Sequence, residues 1–220
     1  MLNLLFPRAC IGCKSVLSGN EKILCISCRH SIPLVSHHKT TNLGMKQIFF
    51  GRFPVQQATA LLLFQKKGIT QNLLHSLKYR GRKEISSFFG KWLGEELAEL
   101  EEYQNIDMII PVPLHKIKLK KRGYNQVEGF GKEIAKALNK PYRDDILLKV
   151  TKSDSQVFKK RLTRFHGTHT FTVAHKEALT EKHILLVDDI VTTGATLEQC
   201  AIKLLDGTQA KISLATIAIA

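Results

Sequence analysis

The residues best suited to chemistry form one run near the C-terminus, where two carboxylates precede a turn of small residues. Asp188 and Asp189 are followed by Ile190 and Val191, and then by the turn Thr192-Thr193-Gly194-Ala195-Thr196. The apolar run Ile184 to Val187 predicts a strand buried on both faces of a parallel sheet. A helical pattern follows directly, with one apolar face formed by Leu197, Cys200, Ala201, Leu204 and Leu205.

This order of elements predicts a site for a phosphorylated sugar. A helix N-terminus offers free backbone N–H groups to an anion, and Gly194 and Ala195 let a phosphate approach closely. The acidic pair would repel a phosphate, but carboxylates accept hydrogen bonds from vicinal hydroxyls. Together they indicate a ribose 5-phosphate. The competing interpretation is a buried strand, a solvated acidic turn and a threonine N-cap.

A second run predicts an anion-facing loop. Five of the seven residues from Lys116 to Arg122 are basic, and they follow a predicted strand, Ile106 to Ile110, that ends at Pro111-Val112-Pro113. Ligands of open α/β sheets bind at the carboxyl ends of strands, which favours this interpretation over a merely solvated basic face. A helix with Val127, Phe130, Ile134 and Leu138 on one face comes next.

The polar connection from Lys149 to Thr170 has no regular period. Long irregular segments in compact domains are often lids, and a basic lid could close over a diphosphate. The residues expected to do so are Gln156, Lys160, Arg161 and Arg164.

Four of the five cysteines form two Cys-x2-Cys pairs, separated by 11 residues: Cys10, Cys13, Cys25 and Cys28. Two such turns complete a tetrahedral zinc site, whose binding energy would fold a segment with few apolar residues. Disulfides or redox-active thiols are the alternatives. With four thiolates present, His30, His37 and His38 are expected at the surface, and Cys200 is expected to be an inert core thiol.

Composition sets outer bounds. The 220 residues are 44% hydrophobic and carry a net charge of +14 with a pI of about 9.7. Such an excess of cations favours polyanionic partners. No apolar run is long enough for a membrane span, and the start has no basic region typical of a signal peptide, so we expect a cytoplasmic protein without membrane insertion.

The remaining pattern predicts an α/β fold in which helices flank a parallel sheet. Its elements are a strand at Ala58 to Phe64, a helix from Thr70 to a basic tip at Gly81, a strongly periodic helix around Trp92 and a last strand, Ile212 to Ile219. We expect two units, a zinc-ribbon module over residues 1–50 and a larger α/β domain over residues 51–220.

These motifs resemble two known patterns. The run from Asp188 to Thr196 resembles the loop of type I phosphoribosyltransferases, which bind 5-phosphoribosyl 1-diphosphate (PRPP) there. The whole chain resembles the ComF family of bacterial competence proteins. The motifs that carry this resemblance are the two cysteine pairs, Leu77-Lys78-Tyr79-Arg80-Gly81-Arg82, Pro111-Val112-Pro113-Leu114, Lys121-Arg122-Gly123-Tyr124-Asn125-Gln126, Ser155-Gln156 with Arg164, and Leu186 to Thr196.

The resemblance implies a type I phosphoribosyltransferase-like domain with a small N-terminal zinc ribbon. Asp188 and Asp189 would hold the ribose hydroxyls, Thr192 to Thr196 would cradle the 5-phosphate, and Ile190 and Val191 would complete the PRPP-binding run. Mg2+ would accompany PRPP. Pyrophosphate would meet Pro113, Lys116, Arg122 and the lid, so that Asp188, Asp189, Lys116 and Arg122 form the catalytic set. The implied biology is DNA uptake, with single-stranded DNA and DNA-uptake or helicase proteins as partners.

Three functions compete at this point. The first is a phosphoribosyltransferase of unknown acceptor. The second is a protein that handles single-stranded DNA, with Tyr124, Phe158 and Phe165 available for base stacking. The third is a regulator that senses PRPP without turning it over, since one fold serves several functions. A P-loop nucleotide hydrolase is excluded, because the G-x-x-x-x-G-K-[ST] motif is absent.

Overall fold

A computed structural model describes residues 8–39, 44–151 and 169–220. The predicted lid residues Gln156, Lys160, Arg161 and Arg164 lie outside these ranges, as do Phe158 and Phe165. No helix within the ranges is both long and apolar enough to cross a membrane. The elements, in chain order, are α1 (Ile26–His30), β1 (Ala58–Leu63), α2 (Ile69–Tyr79), α3 (Glu84–Ala98), α4 (Glu101–Gln104), β2 (Met108–Pro111), α5 (Lys116–Arg122), α6 (Glu128–Leu138), β3 (Leu147–Thr151), β4 (His169–Val173), β5 (His183–Val191), α7 (Ala195–Leu205) and β6 (Lys211–Ile219).

The main sheet confirms the predicted fold class. Its strands lie in the order β1-β6-β5-β2, and all three pairings are parallel. One face is covered by α2, α3 and α6, and the other by α7 and the segment Gly44–Phe49. Both faces are therefore closed to water, which explains why the central strand is a continuous apolar run rather than an alternating one. The carboxyl ends of β5 and β2 lie side by side.

Helices α3 and α6 pack closely because glycines line their contact. A Cβ at Gly90 would lie 2.5 Å from the backbone oxygen of Phe130, so no other residue fits there without a shift. The side chains of Phe89 and Phe130 are fully buried beside this contact.

The structure extends some predicted elements and replaces others. Strand β5 continues past Val187 to Val191, because β6 pairs with it as far as Ile219, so both aspartates lie within the strand. The basic run is a helix, α5, rather than a loop. His115 caps its N-terminus through Nδ1, and Gly123 ends it at a φ of 80°.

The aperiodic connection is flanked by an antiparallel strand pair that the sequence did not reveal. Strands β3 and β4 pair from Leu147 with Val173 to Thr151 with His169. This pair is outside the main sheet, and Leu147 and Phe171 pack into the core on the α7 side. Strand β3 does not alternate, and the alternation of β4 is too short to predict a strand pair by itself.

The cysteine module packs against α3. The Arg29 guanidinium lies 5.3 Å from the Trp92 ring and 6.0 Å from the Phe88 ring. The chain then joins the sheet region before residue 50, because Val35 N donates to Leu61 O at 2.9 Å and Met45 is buried with the sheet. The boundary at residue 50 stays a prediction.

The expectation that His38 lies at the surface is wrong. Its side chain is fully buried, with Nδ1 2.8 Å from Thr59 Oγ1 and Nε2 2.9 Å from Glu96 Oε2. Trp92, which the helical pattern of α3 predicts to be a core residue, is only half-buried and donates to Glu96 Oε1 at 3.1 Å. A polar network that joins β1 to α3 through Glu96 therefore includes both His38, which was expected at the surface, and Trp92, which was expected in the core.

Candidate functional site

The acidic pair is buried at the carboxyl end of β5. Asp188 is 8% exposed and Asp189 is 4% exposed, and Asp189 N donates to Asp188 Oδ1 at 2.8 Å. Burial, followed by the charge of Asp189, raises the pKa of the Asp188 carboxyl. A buried pair of carboxylates is costly unless cations or hydroxyl donors approach it, so the site is built to receive one or the other.

Lys78 partly neutralises this pair, and the sequence did not identify it as a site residue. Its Nζ lies 3.0 Å from Asp189 Oδ2. No hydrogen bond of ordinary geometry reaches that buried oxygen from the described residues, so the ion pair is its main stabilising contact. Lys78 lies in the last turn of α2, within the motif Leu77 to Arg82. The basic tip of that helix was the signal that could have found it.

Lys149 on β3 is a second cation that the sequence did not identify. Burial lowers the pKa of its amine, and the charge of Asp188 acts in the opposite direction. Its Nζ also lies 4.9 Å from the centre of the Phe171 ring. Lys78 from one helix and Lys149 from the strand pair thus bring positive charge to the acidic pair.

The turn after β5 has the shape expected for a phosphate cradle. Gly194 precedes α7 at a φ of 76°, and a Cβ there would lie 2.7 Å from Phe49 Cε1. Glycine is therefore required by both the backbone and the neighbouring ring. Residues 190–197 and Asp188 line a hollow of about 40 Å3, which suits a small group rather than a base. Thr192, Thr193, Ala195 and Thr196 are exposed around it, whereas Val191 is buried and Ile190 is partly buried.

Arg52 holds this turn from outside. Its Nη1 donates to Thr193 O at 2.7 Å and lies 3.3 Å from Glu198 Oε2. The two contacts join the segment after Phe49 to both the turn and the first part of α7. Because they connect residues far apart in the chain, no local pattern could have predicted this role for Arg52.

The residues predicted to bind pyrophosphate after β2, namely Pro113, Lys116 and Arg122, differ from one another in burial and contacts. Arg122 is partly buried, donates through Nη1 to Gln126 Oε1, and lies with its guanidinium 5.6 Å from the centre of the Tyr79 ring. Pro113 is partly buried and Lys116 is exposed. The structure brings Arg122 and Lys78 to one cleft, and the roles of Pro113 and Lys116 stay predictions.

That cleft lies between the end of α2 and α5 and has a volume of about 280 Å3. Four of its lining side chains are cations and none is a carboxylate, within the part of the chain that the structure describes. We call it the cationic cleft; its lining residues are Lys78, Tyr79, Gly81, Lys118, Lys121, Arg122 and Tyr124.

The four N-terminal cysteines form a candidate metal centre. Their sulfur atoms all lie within 4.8 Å of one another, and Cys13 Sγ is 3.6 Å from Cys25 Sγ. Zinc–thiolate bonds of about 2.3 Å in a tetrahedron place the sulfurs about 3.8 Å apart. Backbone N–H groups already point at two of them, from Cys25 N to Cys10 Sγ at 3.3 Å and from Cys28 N to Cys25 Sγ at 3.4 Å. The geometry fits a metal such as zinc.

The four thiols differ in acidity. A hydrogen bond from Ser15 lowers the pKa of Cys13 to about 6, whereas burial and the neighbouring thiols raise that of Cys28. Four thiolates can share so small a space only around a cation. Cys200, by contrast, is fully buried and burial raises the pKa of its thiol, as expected for an inert core residue.

Comparisons with known proteins agree with the motifs. Residues 128–220 match the model of a phosphoribosyl transferase domain. Competence protein ComFC of Bacillus subtilis is 26% identical over 217 residues, covering 92% of this chain and 86% of that protein. ComFC of Streptococcus pneumoniae is 34% identical, covering 61% and 56%, and DNA utilization protein YhgH of Escherichia coli O157:H7 is 28% identical, covering 59% and 58%. The match thus spans little more than half the length of the latter two.

Solved structures that are partly similar to this chain include the following two. Adenine phosphoribosyltransferase from Leishmania tarentolae is 13% identical, with 62% of this chain and 71% of that chain covered and a TM-score of 0.37. Glutamine PRPP amidotransferase from B. subtilis is 17% identical, with 65% and 30% covered and a TM-score of 0.42. The curated relatives and the domain match confirm the family resemblance that the motifs predicted.

Proposed function

We propose that this chain, a ComF-like protein with a phosphoribosyl transferase domain, binds PRPP at the carboxyl end of β5. The observation that carries the proposal is the buried pair Asp188 and Asp189, placed directly before the Gly194 turn and the N-terminus of α7. The turn offers backbone N–H groups and hydroxyls to the 5-phosphate. The carboxylates accept hydrogen bonds from the ribose hydroxyls, which a plain anion site could not do.

The diphosphate of PRPP would extend toward the cations beside the pair. Lys78 is the described cation that touches the pair, Lys149 interacts with the charge of Asp188, and Arg122 is within the adjacent cleft. Carboxylate and phosphate oxygens are the donors that Mg2+ prefers, so the acidic pair fits that ion. When bound, Mg2+ would neutralise charge on the diphosphate. Asp188 and Asp189 would orient the ribose.

We further propose that the site supports transfer. An acceptor nucleophile would attack the anomeric carbon of PRPP, the bond from that carbon to the diphosphate oxygen would break, and pyrophosphate would leave with the electron pair. Arg122 and Lys116, together with the lid residues predicted from the sequence, would stabilise the charge that develops on the leaving group. The alternative within this proposal is a sensor that binds PRPP without transfer.

A second function, the handling of single-stranded DNA, is favoured by two observations. The relatives are named competence and DNA utilization proteins, and this chain carries a net charge of +14. A cation excess supplies affinity for a phosphate backbone without selecting sequence. DNA-uptake or helicase proteins are the partners that this function implies.

The cysteine centre is proposed to hold one structural zinc ion. Its role would be to fold the N-terminal module, not to react, because four thiolates leave no open position for a substrate. The cytoplasm, where thiols stay reduced, is the location we propose.

The direct test follows pyrophosphate release from PRPP and Mg2+ with candidate acceptors, with and without single-stranded DNA, alongside calorimetric titration of PRPP. Binding that depends on Asp188 and Asp189, with acceptor-dependent release, supports a transferase. Binding without release with any acceptor supports the sensor. Absence of PRPP binding by folded protein refutes the proposal.

A further inference from the structure

We propose that single-stranded nucleic acid binds in the cationic cleft between α2 and α5, with a base stacked on Tyr79. The inference rests on the proposed DNA-handling function and deepens it, because it names the surface and the mode of binding. No motif or relative assigns either.

The charge of the cleft suits a phosphate backbone. Lys118 and Lys121 are exposed on one wall, and Lys78 and Arg122 lie deeper. The turn between α2 and α3 adds the exposed residues Arg80 and Lys83 beside it. A strand that follows this surface would meet successive cations, and the release of its counterions would make binding strongly dependent on salt.

An exposed ring in the same cleft supplies a platform for a base. Tyr79 is 70% exposed although it is a large aromatic residue on the last turn of a packed helix. Arg122 lies against the ring at 5.6 Å and the His75 ring is 5.1 Å away. Base–aromatic stacking is tolerant of sequence, which suits a protein that handles DNA of any sequence.

The platform is held in position before any ligand arrives. The hydroxyl of Tyr124 donates to Leu77 O, which joins the loop after α5 to the last turn of α2. Lys83 lies 4.8 Å from the centre of the Tyr124 ring and closes this contact. Because the two walls are joined, a strand would not have to order them first, and that lowers the entropic cost of binding.

The size of the cleft favours a single strand over a duplex. A volume of about 280 Å3 accommodates an unstacked nucleotide, whereas a paired base in a duplex cannot reach Tyr79 without leaving its stack. The exposed apolar residues Ile117 and Leu119 on α5 extend the surface on which bases could lie.

A second aromatic surface is less suitable. Phe88 and Trp92 line a larger cleft of about 900 Å3 between α3 and the cysteine module. Both rings are only partly exposed, whereas Tyr79 is 70% exposed. Five glutamates and five lysines or arginines line this cleft, so their charges balance and it lacks the excess of cations that a phosphate backbone needs. We therefore assign the strand to the cationic cleft.

The test measures binding of a fluorescein-labelled oligo-dT by anisotropy over a range of salt concentrations. Tyr79→Ala should weaken binding at least about fivefold, the smallest effect expected from the loss of one stacked base, and Tyr79→Phe should stay within about twofold. Changing Lys118 and Lys121 together to Ala should reduce the slope of log K against log salt by about 1.4, or about 0.7 for each phosphate contact.

Matched controls keep the result specific. Phe50→Ala removes another exposed ring, and Lys203→Ala removes an exposed lysine from α7; both should bind oligo-dT as the wild type does. Circular dichroism and the melting temperature confirm that each variant is folded. PRPP affinity, measured on the same proteins, should be unchanged in the Lys203 variant.

The outcomes separate the two proposals. If Tyr79→Ala and the double lysine variant bind oligo-dT with wild-type affinity and slope, the cleft is not the nucleic-acid surface. If duplex DNA binds equally well and loses equal affinity on Tyr79→Ala, stacking of an unpaired base is wrong. If an acidic peptide of equal charge displaces oligo-dT equally well, the cleft is a protein-docking surface. If the wild-type protein binds oligo-dT but does not bind PRPP, only the proposed PRPP function is refuted.

Discussion

Two anion-facing surfaces lie at the same end of the sheet and differ in almost every chemical respect. The turn after β5 is lined by small and hydroxylated residues beside two buried carboxylates. The cationic cleft is lined by four cations and two tyrosines. The turn combines hydrogen-bond donors for a phosphate with carboxylates that repel anions, whereas the cationic cleft attracts any polyanion. Lys78 belongs to both, since it pairs with Asp189 and lines the cleft.

The difference teaches how one chain can separate selectivity from affinity. Carboxylates beside a phosphate cradle exclude anions that carry no hydroxyls, which is discrimination by an unfavourable contact. A cleft of lysines and arginines does not discriminate, but it gives affinity and rapid association. We therefore expect substitutions at the β5 turn to change which ligand binds, and substitutions in the cleft to change how strongly any strand binds.

The largest effect should come from the cysteine module, which forms no part of either anion-facing surface. Changing Cys10 and Cys25 together to Ser should abolish zinc binding and unfold residues around the site, because structural zinc contributes about 10–16 kcal/mol of apparent binding energy. Metal analysis should give one zinc per wild-type chain and none in the variant. Cys200→Ala is the control and should retain zinc. Full zinc content in the double variant would contradict the assignment.

Gly194→Ala should have the next largest effect, because it forces a side chain against Phe49 at a positive φ. We expect a loss of about 3 kcal/mol in unfolding free energy and weaker PRPP binding. Gly123→Ala is the matched control. It has a similar φ of 80° but no atom within 4 Å of its Cβ, so about 1 kcal/mol is expected. Chemical denaturation checks both, and equal losses would contradict the steric account of the turn.

Lys78→Met should destabilise the protein by about 2 kcal/mol, since it leaves the buried Asp189 carboxylate without its partner. Lys91→Met removes a cation from the exposed pair with Glu95 and should change stability by less than about 0.5 kcal/mol. If denaturant unfolding gives the same value for the two variants, Lys78 does not neutralise the acidic pair as described.

The smallest effect is expected from Lys118 and Lys120, which are exposed on α5. Changing both to Ala should weaken oligo-dT binding several-fold at low salt and flatten its salt dependence, with PRPP affinity unchanged. Of the two, only Lys118 lines the cleft. Single variants should therefore show a larger loss for Lys118 than for Lys120, and the reverse order would place the strand elsewhere on α5.

The sequence predicted those parts of the site that are formed by residues consecutive in the chain. The strand, the acidic pair, the glycine turn and α7 are consecutive, so their order could be read from the chain. Lys78, Lys149 and Arg52 reach the site from distant elements, and no local period encodes such contacts. The same reason explains the error at His38, whose partners Thr59 and Glu96 come from a strand and a helix that follow it.

The central claim is that the carboxylates at the end of β5 select a hydroxyl-bearing phosphate and exclude a nucleic-acid backbone. Its most direct test is the variant in which Asp188 and Asp189 are both changed to Asn, titrated with PRPP and Mg2+ and, separately, with oligo-dT. Charge-assisted hydrogen bonds contribute about 1.5–3 kcal/mol each, so PRPP affinity should fall at least about tenfold. Oligo-dT affinity should stay equal or rise slightly. Wild-type PRPP affinity in the folded variant, or loss of oligo-dT binding, would contradict the claim.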